Sequence, residues 1–233
     1  MEKKKGTPEY QIKDIVVKKE AGEVQICWKS KEGTHFLVCI YNNNTNSDIQ
    51  LKEVLDTLKK AGMKDSDIYA SGHGKTLVYT EPNGISKIYC IREKEFIKNG
   101  KKCILSNGVF NKSIPYIIRV YVCQYLKEEN KLIVYESEAD ENTVFIPANI
   151  TVGKKEEKVL FGKVKKCYFK FPKLDDYING ALMYHVDGIE YDFPLTESCM
   201  NNEIVITVPV DKDVHIRTKE EYRNRYKVKI NGG

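Results

Sequence analysis

Hydrophobic and polar residues alternate with period two along much of this chain, most cleanly between Gly22 and Tyr41. In EVQICWK, Val24, Ile26 and Trp28 share one face, and Glu23, Gln25, Cys27 and Lys29 take the other. This is the pattern of a strand with one buried side. Ser30-Lys31-Glu32-Gly33 reads as a turn, and THFLVCIY returns as a second strand. There Phe36, Val38 and Ile40 face one way, and His35, Leu37, Cys39 and Tyr41 the other. Apolar on both sides, this strand is expected to be the more central one. A tryptophan in such a strand buries a large apolar area and anchors a core.

The same reading places a strand over Ile12–Lys19, after residues 1–8, which look like a frayed leader. One stretch switches to helical spacing. Leu51, Val54, Leu55 and Leu58 recur at i, i+3, i+4 and i+7, Ser47 or Asp48 can cap the start, and Gly62 can end it. An amphipathic helix of this kind is expected to pack on the sheet of its own domain. Strand signals then dominate. Thr76–Thr80 and Ser86–Glu93 flank the turn Glu81-Pro82-Asn83-Gly84. Lys101–Leu105 and Gly108–Phe110 are short. Pro115–Leu126 is long and pairs with Lys131–Glu138, and Thr143–Ala148 closes the first half. The second half repeats the outline: ITVGKKEE follows the pattern of IVVKKEAG, KKCYFKF that of the VQICWK strand, and GALMYHVDG stands where THFLVCIY stood. Glu203–Val210, Asp213–Thr218 and Arg225–Ile230 complete it. Short strands at regular spacing with turn signals mean a mainly β protein, a sandwich or a barrel. We expect two tandem domains, 9–147 with the helix inserted and 148–233.

At 233 residues the chain has room for two ordinary domains. The net charge is only +5, and the lysine pairs, from Lys59-Lys60 to Lys165-Lys166, lie far apart in sequence. A nucleic-acid surface needs cations gathered on one face with aromatics between them, so no nucleic-acid partner is expected. No run of apolar residues is long enough for a membrane helix, and MEKKKGTPEYQ carries no apolar stretch of a signal peptide. The expectation is a cytoplasmic protein without membrane insertion, or a secreted one if a leader has been removed. Seven cysteines, an odd number with no CxxC, read as free, semi-buried thiols of a reducing compartment.

Trp28 with Val24 and Ile26, and Tyr116 with Ile118, Val120 and Val122, resemble the second and sixth strands of a fibronectin type III module. The resemblance covers residues 10–147 and rests on those two strands. It implies an immunoglobulin-like β-sandwich in which Tyr116 is the corner tyrosine, bonding back to nearby backbone. It also implies that Trp28, Ile118, Val120 and Val122 point inward while Cys27 and Cys123 point outward, which argues against a disulfide between them. The segment from Asn42 to Gly108 is longer than such a module needs. The second half, with no Trp, resembles an immunoglobulin-like sandwich only in outline. These features describe packing and carry no activity.

The motifs that suggest chemistry fall short. SGHGKT (Ser71–Thr76) looks like a phosphate cradle, but Tyr69 stands where a P-loop has its first glycine, and a strand follows it instead of a helix. The four histidines, His35, His73, His185 and His215, lack metal-ligand spacing. Cys199 in ESCMNN is the likeliest loop cysteine, with no base assigned to it. Asp175-Asp176 and Glu156-Glu157 have neither EF-hand nor paired-acid geometry, because neighbours on a strand point to opposite faces. The fifteen tyrosines are favoured strand residues that can also line a carbohydrate platform or a protein interface. No catalytic, cofactor-binding or metal residue is therefore assigned, and no cofactor is expected. The leading expectation is a non-enzymatic binding or scaffold protein whose partner is another protein. The alternatives are a carbohydrate-binding module that takes a glycan on exposed rings, and an enzyme whose site lies at the domain junction.

Overall fold

The computed structural model of the chain describes residues 1–20, 22–31, 35–43, 50–70, 76–79, 85–137, 139–159, 163–172, 176–192 and 203–232. The chain is mainly β and divides into two units, Met1–Ile146 and Pro147–Gly233.

The first unit contains β1 (Glu2–Lys5), β2 (Lys13–Glu20), β3 (Glu23–Lys29), β4 (His35–Asn42), α1 (Leu51–Lys60), α2 (Asp65–Ala70), β5 (Thr76–Tyr79), β6 (Ile85–Ile91), α3 (Glu93–Lys98), β7 (Lys102–Ser106), β8 (Tyr116–Leu126), β9 (Lys131–Glu136) and β10 (Thr143–Ile146). One sheet has the order β2-β3-β7. The larger one runs β1-β9-β8-β4-β6-β5. Here β9 pairs the end of β8, from Cys123, and β10 pairs its start, Tyr116 to Arg119. Taken in chain order as β2, β3, β4, β6, β7, β8 and β9, the first, second and fifth strands form one sheet and the others adjoin in the second. This is a β-sandwich with edge strands added.

Alternation decides which residues meet. Trp28 of β3, Phe36 and Val38 of β4, and Ile118, Val120 and Val122 of β8 share the core between the two sheets. The opposite face of β4 carries Leu37, Cys39 and Tyr41, which pack with α1 in a second core. The doubly apolar pattern of β4 thus matches a central strand covered on both faces, by a sheet and by helices. All four stripe residues of α1 are buried, each contributing about 1.5–3 kcal/mol. Gly62, at φ 72°, ends the helix: its N–H bonds to Lys59 O, and that of Met63 bonds to Leu58 O. This is a Schellman closure, in which a left-handed residue is followed by the return of the chain.

Three local expectations change. Residues 2–5 are an edge strand, β1, parallel to β9 from Glu2↔Ile133 onward. Gly6 then donates to Glu136 O at 3.0 Å, and a Cβ on Gly6 would lie 2.4 Å from that oxygen, so the return of the chain there depends on glycine. Cys123 does point away from the sandwich core, but onto α1's side of the sheet, where it is fully buried. In the first unit two short helices, α2 and α3, stand where no helix was read. Each contributes one fully enclosed anchor, Ile68 and Phe96, too little to give a helical period.

The second unit contains β11 (Ala148–Lys158), β12 (Val164–Lys170), α4 (Asp176–Ala181), β13 (Leu182–Val186), β14 (Ile189–Asp192), β15 (Glu203–Pro209), β16 (Val214–Thr218) and β17 (Tyr226–Gly232). Its sheets are β15-β12-β11-β17 and β14-β13-β16. The first, second and fifth strands again share a sheet, and β17 joins them parallel to β11. Val152, Phe169, Ile204, Ile216 and Tyr226 lie in the core between the sheets. In β15 buried and exposed residues alternate without exception, the mark of one face on a core and one in water.

Candidate functional site

The residues singled out in the sequence mostly find structural partners. His35 begins β4, and its Nδ1 accepts the backbone N–H of Glu93 at 3.2 Å. Burial holds its pKa below the usual histidine value, against the pull of Glu93. His185 and His215 sit opposite each other on β13 and β16. His215 Nε2 lies 3.0 Å from Asp213, and His185 Nε2 lies 3.6 Å from Glu190. Sequence spacing could not reveal this cross-strand pair. Among the described residues no group of three or more His, Cys, Asp or Glu could hold a metal ion. Glu156 and Glu157 do point to opposite faces. Glu156 pairs with Lys154 and Lys165, and Glu157 pairs with Lys155. The 71–75 loop with His73, Asp175 and Cys199 lie outside the described residues.

The buried thiols are poor nucleophiles. Burial pushes Cys39 and Cys103 up to about 12, so at neutral pH they stay protonated. All six described cysteines are free, and only Cys27 is not fully buried.

The first unit has a cavity of about 250 Å³ beside α3, lined by Trp28, Phe36, Phe96, Ile97 and Lys101 together with Lys29, Lys31 and Glu93. Trp28 and Phe96 stack at 4.5 Å, and Phe36 meets Trp28 edge-on at 5.1 Å. The walls are therefore rigid aromatic surfaces. Trp28 is 4% exposed, and its indole N–H finds no acceptor among the described residues. Leaving a buried donor unpaired costs about 1–3 kcal/mol. Ile97 stands at the mouth, 52% exposed. Lys29 and Lys31 pair with Asp14 and Glu9. Sequence reading placed Trp28 in the core and missed the cavity, because Phe96 belongs to the unread α3 and Lys101, read as the start of a strand, is the residue at its exit.

The second unit presents a different surface. On the outer face of β15-β12-β11-β17, Lys166, Tyr168 and Lys170 alternate along β12, and Lys227 and Lys229 along β17. Cross-strand register sets Lys155 beside Tyr168, and Gly153 between Lys170 and Asn231. A broad recess of about 590 Å³ lies over Gly153, bordered by Lys155, Tyr168, Lys170 and Glu203. A strand glycine often marks a place where another group approaches the backbone. Lys155 donates to Glu157 at 2.6 Å, and that bond, with a second from Tyr168, lowers the pKa of Glu157. Lys166, Lys170, Lys227 and Lys229 make no ion pair with any described residue. The β14-β13-β16 sheet is the opposite case, with Glu190–Arg217 and Asp192–Lys219 paired on it. One lysine from each of the runs Lys154-Lys155 and Lys165-Lys166 thus joins Lys170, Lys227 and Lys229 on one face, while Lys154 and Lys165 pair with Glu156 on the other. Their period-two spacing within β12 and β17 was a visible signal; the adjacency of β11 to both strands was not.

The described tyrosines are mostly buried or stacked in pairs. Tyr89, Tyr116, Tyr121 and Tyr135 are buried. Tyr69 and Tyr125 stack on each other at 4.4 Å, as do Tyr184 and Tyr191 at 5.1 Å. Among the described residues no row of exposed rings stands on a sheet face. Nor is any described helix long and apolar enough to cross a membrane.

No family model matches the chain, and no curated protein matches it. A solved structure, the "Central Fibronectin-III array of RIM-binding protein", aligns over 93% of this chain at 11% identity and a TM-score of 0.27. The alignment spans 60% of that structure's own chain.

Proposed function

We propose that this chain is a non-enzymatic protein-interaction protein built of a fibronectin type III-like sandwich followed by an immunoglobulin-like one, and that the outer face of β15-β12-β11-β17 receives an acidic segment of a partner protein. The observation that carries this is the set of lysines with no ion pair among the described residues, Lys166, Lys170, Lys227 and Lys229, around the recess at Gly153 and Tyr168. Unpaired cations on a flat, solvated face attract an oppositely charged partner and speed its encounter. An acidic peptide fits better than a nucleic acid. Glu157 and Glu203 interrupt the positive field, and a single ring, Tyr168, offers no succession of stacking sites for bases. A glycan reading has no comparable support without a row of exposed aromatics.

The test is crosslinking with mass spectrometry in native lysate, comparing the wild-type chain with the triple charge reversal Lys166→Glu, Lys170→Glu, Lys229→Glu. All three positions are exposed, so the variant is expected to fold. The reading requires an acidic protein segment crosslinked to this face in the wild type and lost in the variant. A partner retained by the variant, or tight binding of single-stranded DNA to the wild type, would overturn it.

A further inference from the structure

We propose that the cavity beside α3 is a ligand site for a small carboxylate carried on an apolar, ring-sized body, with Lys101 holding the carboxylate and Trp28, Phe36 and Phe96 enclosing the body. The reading is independent of the lysine face of the second unit. Its first support is the cavity's composition. Three aromatic rings line about 250 Å³, just below the range of pockets for drug-sized ligands, so one ring or a branched chain fills it. Ile97, Ser30, Lys29, Lys31 and Glu93 complete the lining with Lys101.

The second support is the backbone of Lys101. α3 ends like α1: Gly100, at φ 70°, donates to Ile97 O, and the next N–H, that of Lys101, bonds to Phe96 O. At α1 the residue after the glycine, Met63, does not have a positive φ. At α3 it does: Lys101 sits at φ 60°. The Schellman closure does not require this. A lysine in the left-handed region is strained where glycine or asparagine would not be. Strain of this kind, retained at the lip of an aromatic cavity, points to a role for the side chain. Among the described residues Lys101 has no ion pair, whereas Lys29 and Lys31 are engaged by Asp14 and Glu9. Lys101 is therefore the rim cation available to a ligand, and a charge-assisted hydrogen bond to a carboxylate is the stronger kind.

Trp28 is the only tryptophan of the chain, so its emission and its indole N–H resonance report on this cavity alone. The experiment titrates the full chain with phenylacetate, with phenylacetamide as the uncharged analogue, and with a short peptide ending in phenylalanine with a free carboxylate. Saturable movement of both Trp28 signals by phenylacetate or by the peptide is expected, and which of the two does so identifies the source as a free acid or a chain terminus. Phenylacetamide should bind at least about tenfold more weakly. Lys101→Gly should weaken binding by a similar factor while the melting temperature stays equal or rises, because glycine relieves the strain. A merely structural Lys101 would leave binding unchanged. The proposal is overturned if neither acid moves the Trp28 signals at millimolar concentration, if the amide binds as well as the acid, or if Lys101→Gly binds like the wild type.

Discussion

The hydroxyl of Tyr116 accepts the backbone N–H of Asn111 at 3.1 Å, tying the start of β8 to the chain five residues upstream. The ring itself is 7% exposed and meets Phe110 edge-on at 5.3 Å. Tyr116→Phe keeps the ring and removes the acceptor. It should lower stability by about 1–2 kcal/mol, through the loss of one hydrogen bond and the orphaned amide. A urea titration checks this: the midpoint should fall with the slope unchanged. An unaltered midpoint would remove the corner role from Tyr116.

Gly6 carries a second, more local prediction. Its missing Cβ leaves room for Glu136 O at 2.4 Å, so Gly6→Val must push β1 off the edge of β9 or distort both. We expect a loss of about 1–3 kcal/mol, typical of overpacking. Amide exchange should rise at Lys3, Lys4 and Lys5 while the central β4 and β8 stay protected. Uniform protection in the variant would mean that the chain returns by another route.

Acidification should destabilise the first unit through His35. Burial holds the folded pKa of His35 below the usual histidine value of about 6.5, so the unfolded chain binds the proton more readily. The contribution is complete above the unfolded value, about pH 6.5, and is lost as pH falls through the lower folded value. Wild-type urea midpoints should therefore drop between about pH 7.5 and 5.5 by more than those of His35→Gln, which cannot titrate. Equal drops in the two proteins would assign the effect to other groups.

Thiol chemistry offers a fourth check. Cys39 and Cys103 are completely buried and pushed up to about 12. In native protein at neutral pH, a thiol reagent such as DTNB should modify Cys27 while sparing both. In denaturant they should react like the rest. Modification of Cys39 without unfolding would reveal a local opening of α1 from the sheet.

Much of the fold was legible because alternation is a local property. The inward set Val24, Ile26 and Trp28, the two-sided apolar pattern of β4 and the stripe of α1 are each written in consecutive residues, and a strand or helix has little freedom to present them otherwise. The role of Tyr116 came instead from the resemblance to a fibronectin type III strand, and its partner, Asn111, lies five positions away. The short helices and the strand β1 were not legible. α3 buries Phe96 as its single anchor, and β1 is polar by composition, held by main-chain pairing to β9 and by a close approach at Gly6.

The candidate sites belong to the part that local pattern could not supply. Lys170, Gly153 and Asn231 are far apart in the chain, and only the order β12-β11-β17 makes them neighbours. Trp28, Phe36 and Lys101 come from three separate segments that meet where the two sheets and α3 close. Period and parity determine which way each side chain points from its own backbone. Which other backbone it then faces depends on strand order and register, and those are set by the whole core at once.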